Sequence, residues 1–316
     1  MTIESKSTAD YRTVTADEAL RADLSQLVRL AIAEDLDRAL DWTTVCLIDP
    51  ETPGQCDVVP RQPGIAAGVV LVPWILDEFD AELNVELLID DGQPLVPGTP
   101  IIRLSGNARD LLTAERTILN ILSRLCGVAT LTGQFVKRIA GAKSRLYDTR
   151  KTTPGWRRLE KYAVHCGGGN NHRTGLFDGF LIKDNHLALG GTGADKLPAS
   201  EAAKRAIQWR GGTVDNMQAP GIVEIEVDGL DQLEDVLPAS PDIVLVDNFT
   251  IEQLRQAVRM RDRMNPAVQL EASGNVKIDT IAEIASTGVD RISSGALTHQ
   301  ATWLDLGLDW SGDSAS

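Results

Sequence analysis

In its second half the chain alternates between two kinds of segment, and that rhythm constrains its fold more than any other feature. Six short, mostly apolar runs lie at 144–147, 179–182, 221–227, 243–246, 268–271 and 291–292. Stretches with helical spacing of apolar residues separate most of them, at 199–210, 230–237, 251–264 and 278–287. A strand covered on both faces needs a continuous apolar run, and a parallel neighbour needs a crossover that a helix supplies. The pattern predicts an α/β fold built on a parallel sheet with crossover helices. Six strands in so short a span suit a small or incomplete α/β barrel, with an open doubly wound sheet as the alternative.

The first part reads differently. Leu20, Leu24, Leu27, Val28, Ala31 and Ile32 recur at helical spacing, which predicts a helix over 15–35 capped by Thr15 or Asp17. Prolines at 50, 53, 60, 63, 94, 97 and 100 then punctuate short strand-like runs such as 55–59 and 65–71. Helices are expected over 111–125 and 131–140, so this part is an α+β unit. Residues 1–15 and the tail 311–316 are expected to fray.

Composition narrows the ligand. The 316 residues carry 45 acids against 31 bases, a net charge of -14, which repels polyanions such as nucleic acid and anionic membranes. An anionic ligand therefore needs a local basic patch. Apolar residues make up 43% of the chain, enough for a substantial core. Four cysteines without CxxC spacing suit reduced thiols. With no leader-like N-terminus and no long apolar stretch, a soluble cytoplasmic protein is expected.

Nearly every apolar run ends in a polar cluster: Asp148-Thr149-Arg150-Lys151, Lys183-Asp184-Asn185-His186, Asp228, Asp247-Asn248, Ser273-Gly274-Asn275 and Ser293-Ser294-Gly295. In parallel α/β folds the C-terminal ends of the strands build the site. Between Lys143 and Lys161 stand seven bases and two acids. That run is either a solvated face or a pocket for a small anion. Arg150 and Lys151 directly after a strand, and His172-Arg173 after Gly167-Gly168-Gly169, favour the pocket, since guanidinium groups bind carboxylates and phosphates in a fixed orientation. Glu224, Glu226 and Asp228 alternate along one strand and share a face, which calls for basic partners or a divalent cation. Asp247 closes the next run, and carboxylates beside phosphates commonly hold Mg²⁺. Two Ser/Gly loops, at 273–275 and 293–295, suit phosphate binding through backbone N–H groups. No Walker A motif, Rossmann glycine signature or zinc spacing is present.

Taken in order, DTRKTTPG (148–155), GGGNNHR (167–173), FDGFLIKDNH (177–186), EIEVD (224–228) and LVDNF (245–249) resemble the quinolinate phosphoribosyltransferase family. LTAERTILN (112–120), EASGNV (271–276) and ISSGAL (292–297) extend the resemblance over nearly the whole chain. It implies an N-terminal α/β sandwich over 1–126, joined by 299–316, and an incomplete α/β barrel over 127–298. It also implies a homodimer whose sites take residues from both chains, Mg²⁺, and no organic cofactor. Arg150, His172, Arg173 and Lys183 would surround the pyridine carboxylates, and Lys151 would neutralise substrate charge. Arg116 would reach into the neighbouring subunit's site. Glu226 and Asp247 would serve the ribose and the Mg²⁺-pyrophosphate. Ser273, Gly274, Asn275, Ser294, Gly295 and His299 would hold the 5-phosphate. Lys151, Lys183, Glu226 and Asp247 would carry the catalysis. The substrates implied are quinolinate and phosphoribosyl pyrophosphate, and the product feeds NAD biosynthesis.

The chain departs from the family pattern at His165, where an arginine is expected, and at 190–198 and 211–221, which read as loop insertions. Two other functions remain open. One is a paralogue of the same fold acting on another pyridine or base carboxylate, such as a nicotinate-type transferase or a molybdenum-locus relative, against which Arg150, His172, Arg173 and Lys183 together favour a dicarboxylate over a monocarboxylate. A non-catalytic phosphometabolite- or RNA-binding protein would have no use for Glu226 and Asp247.

Overall fold

The structure, a computed structural model, describes residues 10–191 and 195–310. In chain order its principal strands are β1 (Pro53–Pro60), β2 (Leu83–Leu87), β3 (Ile102–Asn107), β4 (Arg145–Tyr147), β5 (Phe180–Ile182), β6 (Val223–Val227), β7 (Ile243–Asp247), β8 (Gln269–Ser273), β9 (Arg291–Ser293) and β10 (Leu306–Trp310). Two compact units form. Among the described residues, one gathers 10–12, Phe135–Arg150 and those of 170–296, and the other gathers Thr13–Gln134, Lys151–Gly169 and 297–310. No helix among the described residues is long and apolar enough to cross a membrane.

The second unit is built on an antiparallel sheet in the order β10-β1-β3-β2. The long helix Ala108–Arg138 turns Leu111, Ala114, Ile118, Leu122 and Leu125 into the core, and this spacing is a helical apolar stripe. The helices expected over 111–125 and 131–140 are thus one element, and the expected division at 126/127 falls inside it. Gly127 and Gly133 do not break it. A Cβ at Gly127 would lie 2.1 Å from the Thr302 carbonyl oxygen, so glycine is there for close approach. Asp17 caps the helix Glu18–Leu36 by accepting from the Leu20 amide at 3.1 Å. The run 65–71, expected as a strand, is mostly something else: Gly68 takes φ 92° and a 3₁₀ turn follows at Val69–Leu71.

The first unit carries the parallel sheet, in the order β4-β9-β8-β7-β6-β5. Strands consecutive in the chain are neighbours throughout, except β4 and β5, which lie at opposite edges. Joining those edges would give the sequential order of an α/β barrel, so this is a barrel open at one seam. At the β4 edge a single parallel bridge, Tyr147 to Asn170, continues the pairing. The face of β6, β7 and β8 turned away from Glu224 and Glu271 is apolar, with Val223, Ile225, Val227, Val244, Val246 and Leu270 fully buried. Thr250 and Gln253 form a reciprocal capping box that starts Ile251–Met264 three residues after β7 ends.

Two expectations change. Residues 10–15 are not all frayed: Tyr11 and Val14 are buried, while 1–9 and 311–316 lie outside the described residues. The insertion at 211–221 is a hairpin, Thr213–Val214 against Met217–Gln218, whose Asp215 and Asn216 both take positive φ. Of the other insertion, 192–194 lie outside the described residues.

Candidate active site

The strand order puts the C-terminal ends of β4 to β9 on one rim of the first unit. Lys183 follows β5, and its Nζ forms an ion pair with Glu226 on the neighbouring β6. Glu226, Asp228 and Asp247 each bring a carboxylate oxygen to within 4.8 Å of the others. Three hard oxygen donors so close suit Mg²⁺, which takes one or two carboxylates and fills its other positions with water or phosphate oxygens.

The arginines come from the β4 end and the loop after the glycines. Asp148 is fully buried and braces that loop, accepting from the His172 amide at 2.8 Å and from Asn171 Nδ2 at 2.7 Å. This holds Arg173 close to Arg150. Burial pulls the Arg173 guanidinium below its ordinary value, and the neighbouring Arg150 charge acts in the same direction. Arg173 donates from Nη1 to the Gly179 carbonyl at 3.0 Å, but the Nε atoms of both Arg173 and Arg150 are buried without a hydrogen-bond partner in the protein. An unmade hydrogen bond on a buried cation is costly. Two adjacent guanidinium groups with unmet Nε donors have the chemistry that suits an anion.

Beneath the rim the barrel interior is polar in one layer. His172 Nδ1 accepts from the Arg173 amide at 2.8 Å, so the ring proton sits on Nε2 and points to Glu224 at 3.0 Å. Burial alone would raise the Glu224 carboxyl, but the His172 ring and Arg291 hold it below the usual carboxylate range. Arg291 donates to Glu271 at 2.7 Å and lies 3.6 Å from the centre of the Tyr147 ring. His172, Glu224 and Glu271 form a second group close enough to hold a metal, but His172 Nε2 is engaged with Glu224 and Glu271 Oε2 with Arg291.

The first Ser/Gly loop packs on Asn248, whose amide donates to the Ser273 carbonyl at 2.9 Å. Gly274 has φ +90°, and a Cβ there would fall 2.2 Å from Asn248 Oδ1, so no other residue fits. Asn275 donates to the same oxygen at 3.2 Å. The Ser294 hydroxyl donates to the Val276 carbonyl at 3.0 Å, which joins the second loop to the first, and the Ser294 amide donates to the Tyr147 carbonyl at 3.0 Å.

Residues 41–126 match the N-terminal domain, and residues 128–309 the C-terminal domain, of quinolinate phosphoribosyl transferase. The chain belongs to the quinolinate phosphoribosyl transferase family. A Mycobacterium leprae relative named nicotinate-nucleotide pyrophosphorylase [carboxylating] is 43% identical over 285 residues, covering 89% of this chain and 95% of that protein. A Bacillus subtilis relative, named as a probable enzyme of the same kind, is 37% identical and covers 81% of this chain and 83% of its own. The solved structure of the nicotinate-nucleotide pyrophosphorylase from Francisella tularensis superposes with a TM-score of 0.83 at 35% identity, over 96% of this chain and all (100%) of that one. The sandwich and incomplete barrel are thus the fold of the quinolinate phosphoribosyl transferase family.

The first unit brings together Arg150, His172, Arg173, Lys183, Glu226, Asp247, Ser273, Gly274, Asn275, Ser294 and Gly295. Lys151, Arg116 and His299 belong to the second unit, where all three are exposed. Arg116 has 65% of its side chain exposed, and its nearest carboxylate, on Glu115, is 3.7 Å away. The basic run 143–161 is less of a patch than its charge implies. Lys143 pairs with Asp290, Arg145 with Asp10 and Arg158 with Asp23, while Lys161 is fully buried. His172 turns its nitrogens toward Glu224 and the Arg173 amide, not toward the arginine receptor. The sequence reading passed over Asp148 as a brace, and it passed over Tyr11, Glu271 and Arg291. A charged residue inside an apolar run, as at 271 and 291, was the available signal.

Proposed function

We propose that the protein transfers the phosphoribosyl group of phosphoribosyl pyrophosphate to quinolinate, giving nicotinate mononucleotide, pyrophosphate and CO₂. The observation that carries this reading is the pair of adjacent guanidinium groups of Arg150 and Arg173, whose Nε donors are buried without a hydrogen-bond partner in the protein. A pyridine with two neighbouring carboxylates is a rigid dianion that satisfies both, and each carboxylate can take two parallel hydrogen bonds. The family and the named activity of its members, at up to 43% identity in the relatives described, support the same substrate.

Glu226, Asp228 and Asp247 would hold Mg²⁺ together with the pyrophosphate of the donor. When bound, the cation supplies charge neutralisation to the departing pyrophosphate. Glu226 and Asp247 also face the ribose, where they favour the positive charge that develops at C1 as the bond to pyrophosphate breaks. Arg150 and Arg173 orient the ring so that its nitrogen attacks C1. The ring becomes cationic, the C2 carboxylate leaves as CO₂, and the electron pair left at C2 takes up a proton. Lys183 balances substrate charge. Loops 273–275 and 294–295 take the 5-phosphate. Catalysis rests on positioning and electrostatics, with no covalent enzyme intermediate.

The active form in this reading is a homodimer, with Arg116 of each chain completing the site of the other. The four free thiols support a reducing, cytoplasmic setting. The test is incubation of purified protein with phosphoribosyl pyrophosphate, Mg²⁺ and either quinolinate or nicotinate. Release of CO₂ and pyrophosphate with quinolinate alone is expected. Turnover of nicotinate alone, or of neither, would assign the site to another ring carboxylate.

A further inference from the structure

The segment before the first helix enters the barrel unit. Asp10 and Tyr11 lie at the end of the sheet opposite the rim, where β4 and β9 begin. Asp10 accepts from Arg145 Nη1 at 2.6 Å and from Arg291 Nη1 at 3.1 Å, and these arginines open β4 and β9. This pins the segment and turns Tyr11 inward, where 6% of it is exposed. Its hydroxyl donates to Glu224 Oε2 at 2.8 Å. Its ring lies over His172, with centroids 4.7 Å apart. The same ring fills the space at Gly179, where an added Cβ would come within 2.7 Å of Tyr11 Cε1.

Each of these contacts leads to Arg173. Glu224 holds His172 Nε2–H, which leaves Nδ1 as the acceptor for the Arg173 amide at 2.8 Å. Gly179 supplies the carbonyl that accepts from Arg173 Nη1 at 3.0 Å. Tyr11 therefore touches both groups that fix the backbone and the head of one arginine of the anion receptor. It lies outside every motif assigned to the reaction.

We propose that Tyr11 is a positioning residue for the ring-carboxylate substrate: clamped by Asp10, it sets the tautomer and tilt of His172 and the seat of Gly179, and through them places Arg173. The kinetic arm of this inference rests on the function proposed above. The structural arm does not.

The experiment uses Tyr11→Phe in the full chain, which keeps the ring and removes the hydrogen bond to Glu224. The first readout is the ¹⁵N histidine spectrum. The chain has only 4 histidines, and His172→Gln assigns the one in question. Wild type should show His172 with its proton on Nε2. The variant should show a shifted or mixed-tautomer signal for His172 alone. The second readout is steady-state kinetics, where KM for quinolinate should rise roughly three- to tenfold, the loss of about one well-made hydrogen bond. KM for phosphoribosyl pyrophosphate should stay within about twofold, since only the carboxylate receptor is displaced.

An unchanged His172 signal overturns the proposal, and so does an equal rise in both KM values or a fall in kcat alone. If Tyr11→Phe does not fold, Gly179→Ala, whose new methyl displaces the same ring, must give the same split between substrates or the proposal fails. If wild-type protein does not turn over quinolinate, the function reading fails, and the His172 spectrum still decides the role of Tyr11.

Discussion

Lysine cannot take the place of Arg173, although the charge would be the same. The guanidinium bonds the Gly179 carbonyl through Nη1 while its Nε, buried and unmatched, remains for a ligand. An ammonium is a single point on a flexible stem and cannot serve both in fixed geometry. Arg173→Lys should raise KM for quinolinate roughly 10- to 100-fold, with a smaller effect on phosphoribosyl pyrophosphate, because a bidentate charge-assisted contact is lost. Equal effects on both substrates, measured by initial rates, would place Arg173 outside the carboxylate receptor. At this scale the sequence was informative about residue types and less so about direction. Arg150, Arg173, Lys183, Glu226 and Asp247 do gather in one unit, because Arg150, Lys183, Glu226 and Asp247 end or follow strands of the same parallel sheet and Arg173 lies on the loop that Asp148 braces. His172 sits in the same motif, yet its ring turns down to Glu224. That orientation depends on Tyr11, more than 150 residues away in the chain, since the contact to Glu224 alone spans 213 positions. No local pattern encodes it.

The elements themselves were legible wherever an apolar run had to be buried on both faces. All six barrel strands fall on the expected runs for that reason. What escaped was the work of charged residues at strand starts. Asp290, just before β9, is an example. It accepts from Lys143 Nζ at 2.8 Å, from the Leu270 amide of β8 at 3.0 Å, and from Arg261 on the helix Ile251–Met264. One carboxylate thus ties β8, β9, the approach to β4 and a crossover helix. Burial alone would raise its pKa, but these donors outweigh burial and hold it below the ordinary 3.8. A carboxyl depressed in the folded state stabilises fully above its unfolded value and loses that contribution as pH falls through its folded value. Asp290→Asn should therefore cost about 2 kcal/mol near neutral pH, since Arg261 is left buried with a weaker partner. Urea melts should show the gap between variant and wild type closing as pH falls through the lowered folded value of the wild-type carboxyl, beneath the ordinary 3.8, where it also takes up its proton. A gap that stays constant with pH would mean that shape, not charge, holds this junction.

At the scale of the whole molecule, the net charge of -14 means that the basic residues facing the ligand act against the mean field, and each added one counts. Arg116 is the member of the proposed set with the least to do within its own chain, at 65% side-chain exposure. In the same unit Leu30, Leu40, Trp42 and Leu47 are all more than half exposed, and exposed apolar side chains in number favour a subunit interface. A two-fold dimer with Arg116 lent to the neighbouring site accounts for both. Arg116→Ala and Arg173→Ala homodimers should each be inactive, the first without losing its dimeric mass in solution. When equal amounts exchange subunits, half of the dimers are mixed, and each mixed dimer has one site with both defects and one with neither. Activity should then return to roughly a quarter of wild type, the value set by a shared site with random pairing. If Arg116 served its own chain's site, every site in the mixture would keep one defect. The rate would stay at the background of the separate variants however long exchange ran.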